Sequence, residues 1–147
     1  MNLFFYGTLK AEQVRQAVLG THHATLRIAP ATLTGYEVRQ VAGALYPMIV
    51  ASDHANIVSG LIIYDVDSES LALLDRFEGV HYQRAQVGVM TENSEEQAEI
   101  YIPDDTMIPA GLWDFDSWVN QDMARFFAED FAPEGVARPR TDGEKDR

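Results

Sequence analysis

Apolar side chains run unbroken from Leu3 through Tyr6 and stop at Gly7-Thr8, a pattern that predicts a buried strand ending in a turn. Behind it, Val14, Ala17 and Val18 recur at helical spacing within Glu12 to Leu19, and Gly20 is placed to end a short helix. β-Branched and aromatic residues then dominate three stretches, Ala31 to Val41, Pro47 to Ala51 and Asn56 to Val66, which read as successive strands. Their close spacing without long helices between them favours antiparallel or mixed pairing, in a curled sheet or small barrel, over a doubly wound parallel sheet. Asp67 or Ser68 can cap a second helix running to about Phe77, with Leu71, Leu74 and Phe77 on one face and Gly79 at the stop position. Tyr82 to Thr91 and Gln97 to Ile102 predict a hairpin around the polar turn at 92–96. Asp114 or Asp116 opens a last helix, whose Trp118, Val119, Met123, Phe126 and Phe127 follow helical spacing and suit core packing.

The 147 residues suit one domain, large enough to bury a core without disulfides or a structural metal. Its folded part is expected to span residues 1–132. From Pro133 to the end, two prolines, two glycines and mixed charge predict a flexible tail. No apolar run approaches the length that crosses a bilayer and no secretory leader is apparent, so a cytoplasmic location is the expected default. The net charge of -12 lies mostly in the second part: residues 91–147 hold 15 acids against 5 bases, while 1–90 hold 8 against 6. Such a surface repels phosphate backbones and anionic lipid, so neither a nucleic-acid nor a membrane partner is expected. Oligomeric state leaves no signature in the sequence.

Candidate chemistry is narrowed by what the chain lacks. With no cysteine there is no thiolate nucleophile and no Cys-based zinc site. His22 and His23 are adjacent and would point apart on a strand, while His54 and His81 stand alone, so no metal site is expected. No Gly-x-Ser-x-Gly elbow, Walker loop or Gly-x-Gly-x-x-Gly fingerprint occurs. Two features remain. The Tyr6-Gly7-Thr8-Leu9 turn offers backbone amides and a hydroxyl to an anion or a carbonyl oxygen. Glu78 falls at a helix C-terminus, where unpaired carbonyls and the neighbours Phe77 and Tyr82 disfavour its negative charge and raise its pKa toward neutral acid/base work. Asp75, one turn earlier, reads as a surface partner of Arg76 or as an orienting hydrogen-bond acceptor.

These two segments, Tyr6-Gly7-Thr8-Leu9 and Leu74-Asp75-Arg76-Phe77-Glu78 with Tyr82 and Arg84 behind it, resemble the hallmarks of the gamma-glutamylcyclotransferase-like family. Gly43-Ala44-Leu45-Tyr46-Pro47 and Gly60-Leu61-Ile62-Ile63-Tyr64 between them are similar to that family's Tyr-Pro segment and the strand that follows it. The resemblance covers roughly residues 1–102 and implies an α+β fold, a small mixed β-barrel with flanking helices and a cavity at one end. It also implies release of an amine or amino acid from a small-molecule gamma-glutamyl substrate as the remainder closes to 5-oxoproline, with no cofactor. Residue by residue, it assigns Glu78 as the catalytic acid/base, and Tyr6, Gly7, Thr8, Leu9, Tyr82 and Tyr101 to substrate binding. A non-catalytic module that uses the same cavity to bind or sense a small ligand is the alternative.

Overall fold

The computed structural model describes residues 1–53, 55–132 and 134–140. His54, Pro133 and the last seven positions of the expected tail lie outside the described residues.

Strand β1 (Leu3–Phe5) is buried throughout because it has partners on both edges. It pairs antiparallel with β5 (Ile57–Tyr64) and parallel with β7 (Glu95–Pro103), and that second pairing closes a barrel of order β1-β5-β2-β6-β7. A strand enclosed in this way must be apolar on both faces, which explains the unbroken run at the start of the sequence. Its side chains divide between two cores. Phe4 and Tyr6 pack with Leu33, Ile49, Val58 and Ile100, whereas Leu3 and Phe5 join Val14, Leu74, Phe77, Trp118 and Phe126 beneath the helices.

The expected strand Ala31 to Val41 is two strands, β2 (Arg27–Thr34) and β3 (Tyr36–Val41), split at Gly35, which has φ 85°. Only glycine enters that region without a Cβ penalty. β2 also starts earlier than predicted and includes Pro30. Its register with β5 is continuous from Arg27 to Thr34, but β6 (Tyr82–Met90) meets it only at Thr32, so Pro30 sits where its missing N–H breaks no second ladder. β3 leaves the barrel to form a small sheet of order β4-β3-β8 with β4 (Pro47–Ala51) and β8 (Pro109–Leu112). The β6–β7 hairpin keeps register from Tyr82–Pro103 to Met90–Glu95, two residues beyond the expected start of its second strand.

Helix α1 (Glu12–Leu19) ends at Gly20, φ 56°. Residues Gly20–Thr25 then form a 3-10 turn, not a strand, in which His22 faces Glu69 at 3.5 Å and His23 faces Glu12 at 3.6 Å. Helix α2 (Ser68–Glu78) is capped by Asp67, which accepts from the Ser70 amide at 2.7 Å, and stops at Gly79, φ 87°. The last expected helix is two, α3 (Phe115–Gln121) and α4 (Met123–Glu129), broken at Asp122.

Residues 134–140 depart from the expected loose tail. They run back across the molecule as an irregular strap, bonded by Val136 N–H to the Phe77 carbonyl (3.1 Å), Ala137 N–H to Asp130 (2.8 Å) and Arg140 N–H to Gly43 (2.7 Å). Its anchor is Asp130, 2% exposed, which accepts from the Leu45 amide at 2.8 Å and from Arg140 Nη2 at 2.6 Å. Composition missed this because backbone hydrogen bonds and one buried ion pair hold the segment, with little apolar surface. Asp130→Ala strands both donors and is expected to cost about 3 kcal/mol in unfolding free energy. Urea unfolding measures it, and a loss below about 1 kcal/mol would mean that the anchor carries no weight.

Candidate active site

The barrel end carries a hollow where β1, α2 and the strap meet. The chain leaving β1 delivers Tyr6, Gly7, Thr8 and Leu9 to its wall, α2 contributes Phe77 and Glu78, and Tyr46 and Pro47 come from the turn before β4 and its first residue. Tyr82 from the start of β6, Tyr101 from β7 and Val136 from the strap complete it. All seven residues assigned by resemblance therefore line one hollow. Tyr46, Pro47, Phe77 and Val136 join them. The Tyr46-Pro47 pair was visible as a motif without a role, and Val136 carried no sequence signal at all.

Gly7 has φ −121°, so no left-handed turn demands glycine here. Packing does: a Cβ there would meet Pro47 Cγ at 2.8 Å. Gly7→Ala is expected to push the loop off Pro47 and cost about 1–3 kcal/mol in thermal or urea unfolding. An unperturbed midpoint would show that the loop can move aside freely. The Gly7 and Thr8 carbonyls accept from Lys10 and Ala11 at 3.0 Å each, whereas the Gly7, Thr8 and Leu9 amides donate to no loop or side-chain acceptor among the described residues. Thr8 is buried, and its hydroxyl makes no hydrogen bond to the other described residues. Unspent donors of this kind form a concavity for an anion or oxyanion. Behind the loop, buried Arg15 donates to the Leu9 and Lys10 carbonyls at 2.9 and 2.7 Å and fixes its course.

Glu78 as a residue keeps partial exposure, yet its carboxyl group is enclosed: desolvation first, and the negative charge of Asp75 second, raise its pKa to about 8. Glu78 lines the hollow, and its side chain makes no hydrogen bond to the other described residues. Asp75 is not paired with Arg76. It accepts from the Tyr101 hydroxyl at 2.7 Å and from Arg84 Nε at 3.1 Å, while Arg84 also grips Glu99 at 2.8 Å.

Four phenols surround Glu78, and each donates elsewhere: Tyr6 to the Tyr101 carbonyl (2.9 Å), Tyr46 to Ala137 (2.6 Å), Tyr82 to Pro47 (3.1 Å) and Tyr101 to Asp75. Burial is the largest cause raising the pKa of each, and negative charge on Glu78 adds to all four. They stay neutral across the working range and act as walls and acceptors. Among the groups enclosed in the inner hollow, only Glu78 can change protonation near pH 8.

A small mixed barrel with one uncommitted carboxyl and a loop of free amides at its end defines the class. The family described as gamma-glutamyl cyclotransferase, AIG2-like, matches residues 3–115. The chain belongs to this family. It is 31% identical over 140 residues to AIG2-like protein D of Arabidopsis thaliana, covering 90% of both chains, and 33% identical over 131 residues to AIG2-like protein C of the same plant, covering 85% of this chain and 73% of the relative. A solution structure of an Arabidopsis thaliana protein superposes with TM-score 0.64 at 32% identity, over 86% of this chain and 85% of that one. A mouse AIG2-like protein, at 22% identity and TM-score 0.57 over 77% of this chain and 87% of its own, shares the fold. Among the described residues no helix is long and apolar enough to cross a membrane, and no group of three His, Asp or Glu side chains is arranged to hold a metal ion.

Proposed function

We propose that this protein releases an amine or amino acid from a gamma-glutamyl compound by cyclising the remainder to 5-oxoproline, with Glu78 as the single proton carrier. The observation that carries the reading is the Glu78 carboxyl, desolvated, without a hydrogen-bond partner among the described residues, and facing the same hollow as the free amides of the Tyr6–Leu9 loop.

A lone carboxylate is costly in that space, and a substrate ammonium placed beside it removes the cost. The substrate's α-ammonium gives a proton to Glu78. The freed amine then attacks the γ-carbonyl carbon and the new C–N bond closes a five-membered ring. The bond to the leaving nitrogen breaks as Glu78 returns the first proton to it, and the surplus proton on the ring nitrogen passes through the same carboxylate to the released amine, which departs as an ammonium. The loop amides and the Thr8 hydroxyl hold the α-carboxylate or the developing oxyanion. Because nucleophile and electrophile share one molecule, holding the folded conformer supplies about 7 kcal/mol or more of the acceleration.

The test is 5-oxoproline release from a panel of gamma-glutamyl amino acids and amines, run with wild type and Glu78→Gln. Turnover by wild type and its loss in the variant support the reading. Binding across the panel without turnover by wild type assigns the hollow to ligand sensing instead.

A further inference from the structure

Glu78 opens onto two spaces. The inner hollow holds about 30 Å³, and an outer one of about 220 Å³ shares Glu78, Tyr46 and Val136 with it. The outer space is walled on one side by Gly79, Val80 and His81 after α2, and on the other by the strap residues 134–138. The family model matches residues 3–115, so that second wall lies outside the matched segment.

The proposed cyclisation puts the glutamyl part against the loop amides and the leaving nitrogen at Glu78. Whatever is attached to that nitrogen must then extend into the outer space. One cation there is uncommitted among the described residues. Arg27, Arg39, Arg84, Arg125 and Arg140 are held in ion pairs, and Arg15 is spent on two carbonyls. Arg138 lines the outer space, is exposed, and has no ion pair among the described residues. His81 is tied through Nδ1 to Asp104 at 3.0 Å, and Glu134 supplies the remaining charge at the rim. In a protein of net charge -12 the background field repels anionic ligands, so a carboxylate gains a foothold only where a fixed cation reverses the local sign. A guanidinium grips a carboxylate through two parallel hydrogen bonds.

We infer that the strap builds a leaving-group subsite in which Arg138 receives a carboxylate, so that the released group is an amino acid or the amino end of a peptide, not a simple amine or a diamine. The inference rests on the cyclisation reading for the placement of the leaving nitrogen.

Its test compares three gamma-glutamyl conjugates of alanine, ethylamine and ethylenediamine, which place a carboxylate, a hydrogen or an ammonium beyond the same nitrogen. Calorimetric titration into Glu78→Gln is expected to show the alanine conjugate binding about tenfold tighter than the ethylamine one. Adding Arg138→Gln is expected to bring that ratio to within about twofold, and Arg138→Lys to restore part of it. Equal binding of the first two compounds, tighter binding of the ethylenediamine conjugate, or an Arg138→Gln loss equal for both overturns the subsite. Turnover separates the two readings. A carboxylate preference in binding with no 5-oxoproline from wild type leaves the subsite standing and ends the cyclisation, whereas turnover without preference does the reverse.

Discussion

Glu78→Gln is expected to lower the rate of 5-oxoproline formation by about 10³-fold while substrate affinity changes little. The amide fills the same space and keeps an oxygen toward the ligand, but it can neither take the α-ammonium proton nor return one to the leaving nitrogen. No neighbour can replace it, because the four surrounding phenols are pushed upward by burial and by Glu78 itself. The wild-type pH profile carries the same signature. Only the carboxylate form accepts the proton, and with a pKa of about 8 that form is a minority at neutrality, so kcat/KM should climb with pH and level off near that value. A variant that retains a tenth or more of the wild-type rate would show that the proton travels by another route.

The same group makes stability depend on pH in an unusual direction. Most paired carboxylates have lowered pKa values in the folded state and stabilise a protein until acid protonates them. Here the folded value of about 8 exceeds the ordinary value of 4.5. Below about pH 4.5 both folded and unfolded chains hold the proton and Glu78 costs nothing. Between 4.5 and 8 the unfolded chain has released it and the folded chain has not, so stability falls as pH rises. Above 8 both are ionised and the full cost of the enclosed charge remains. Glu78→Gln removes this dependence. The variant should match wild type near pH 4.5 and exceed it by about 3–5 kcal/mol at pH 8.5, measured as the difference between paired urea titrations. Taking the difference cancels the exposed carboxylates, among them Asp67, Asp104 and Asp114, whose hydrogen bonds lower their pKa values and act in the opposite direction. A gap that stays constant with pH would mean that the carboxyl is solvated in the folded protein.

Legibility in the sequence followed burial. β1 and α2 were readable because each has a definite environment: β1 is enclosed on both edges, and α2 is amphipathic between an Asp67 cap and a Gly79 stop. β8 was not, since all four of its residues are exposed and its pairing with β3 is a backbone matter that leaves no apolar pattern. The single helix read from Trp118 to Phe127 became two because the apolar stripe continues across Asp122 while the backbone does not. Within the site, Glu78 and the Tyr6–Leu9 loop were marked by motifs. Val136 and Arg138 were not, because an irregular segment has no periodicity and a composition of proline, glycine and charge looks the same whether it is tethered or free.

The strap's bond to the Phe77 carbonyl means that residues far along the chain finish the helix end on which Glu78 sits. During synthesis the barrel strands, complete by residue 103, emerge well before that bond can form. A chain cut ahead of residue 134 would lose that bond together with the strap wall of the outer space onto which Glu78 opens.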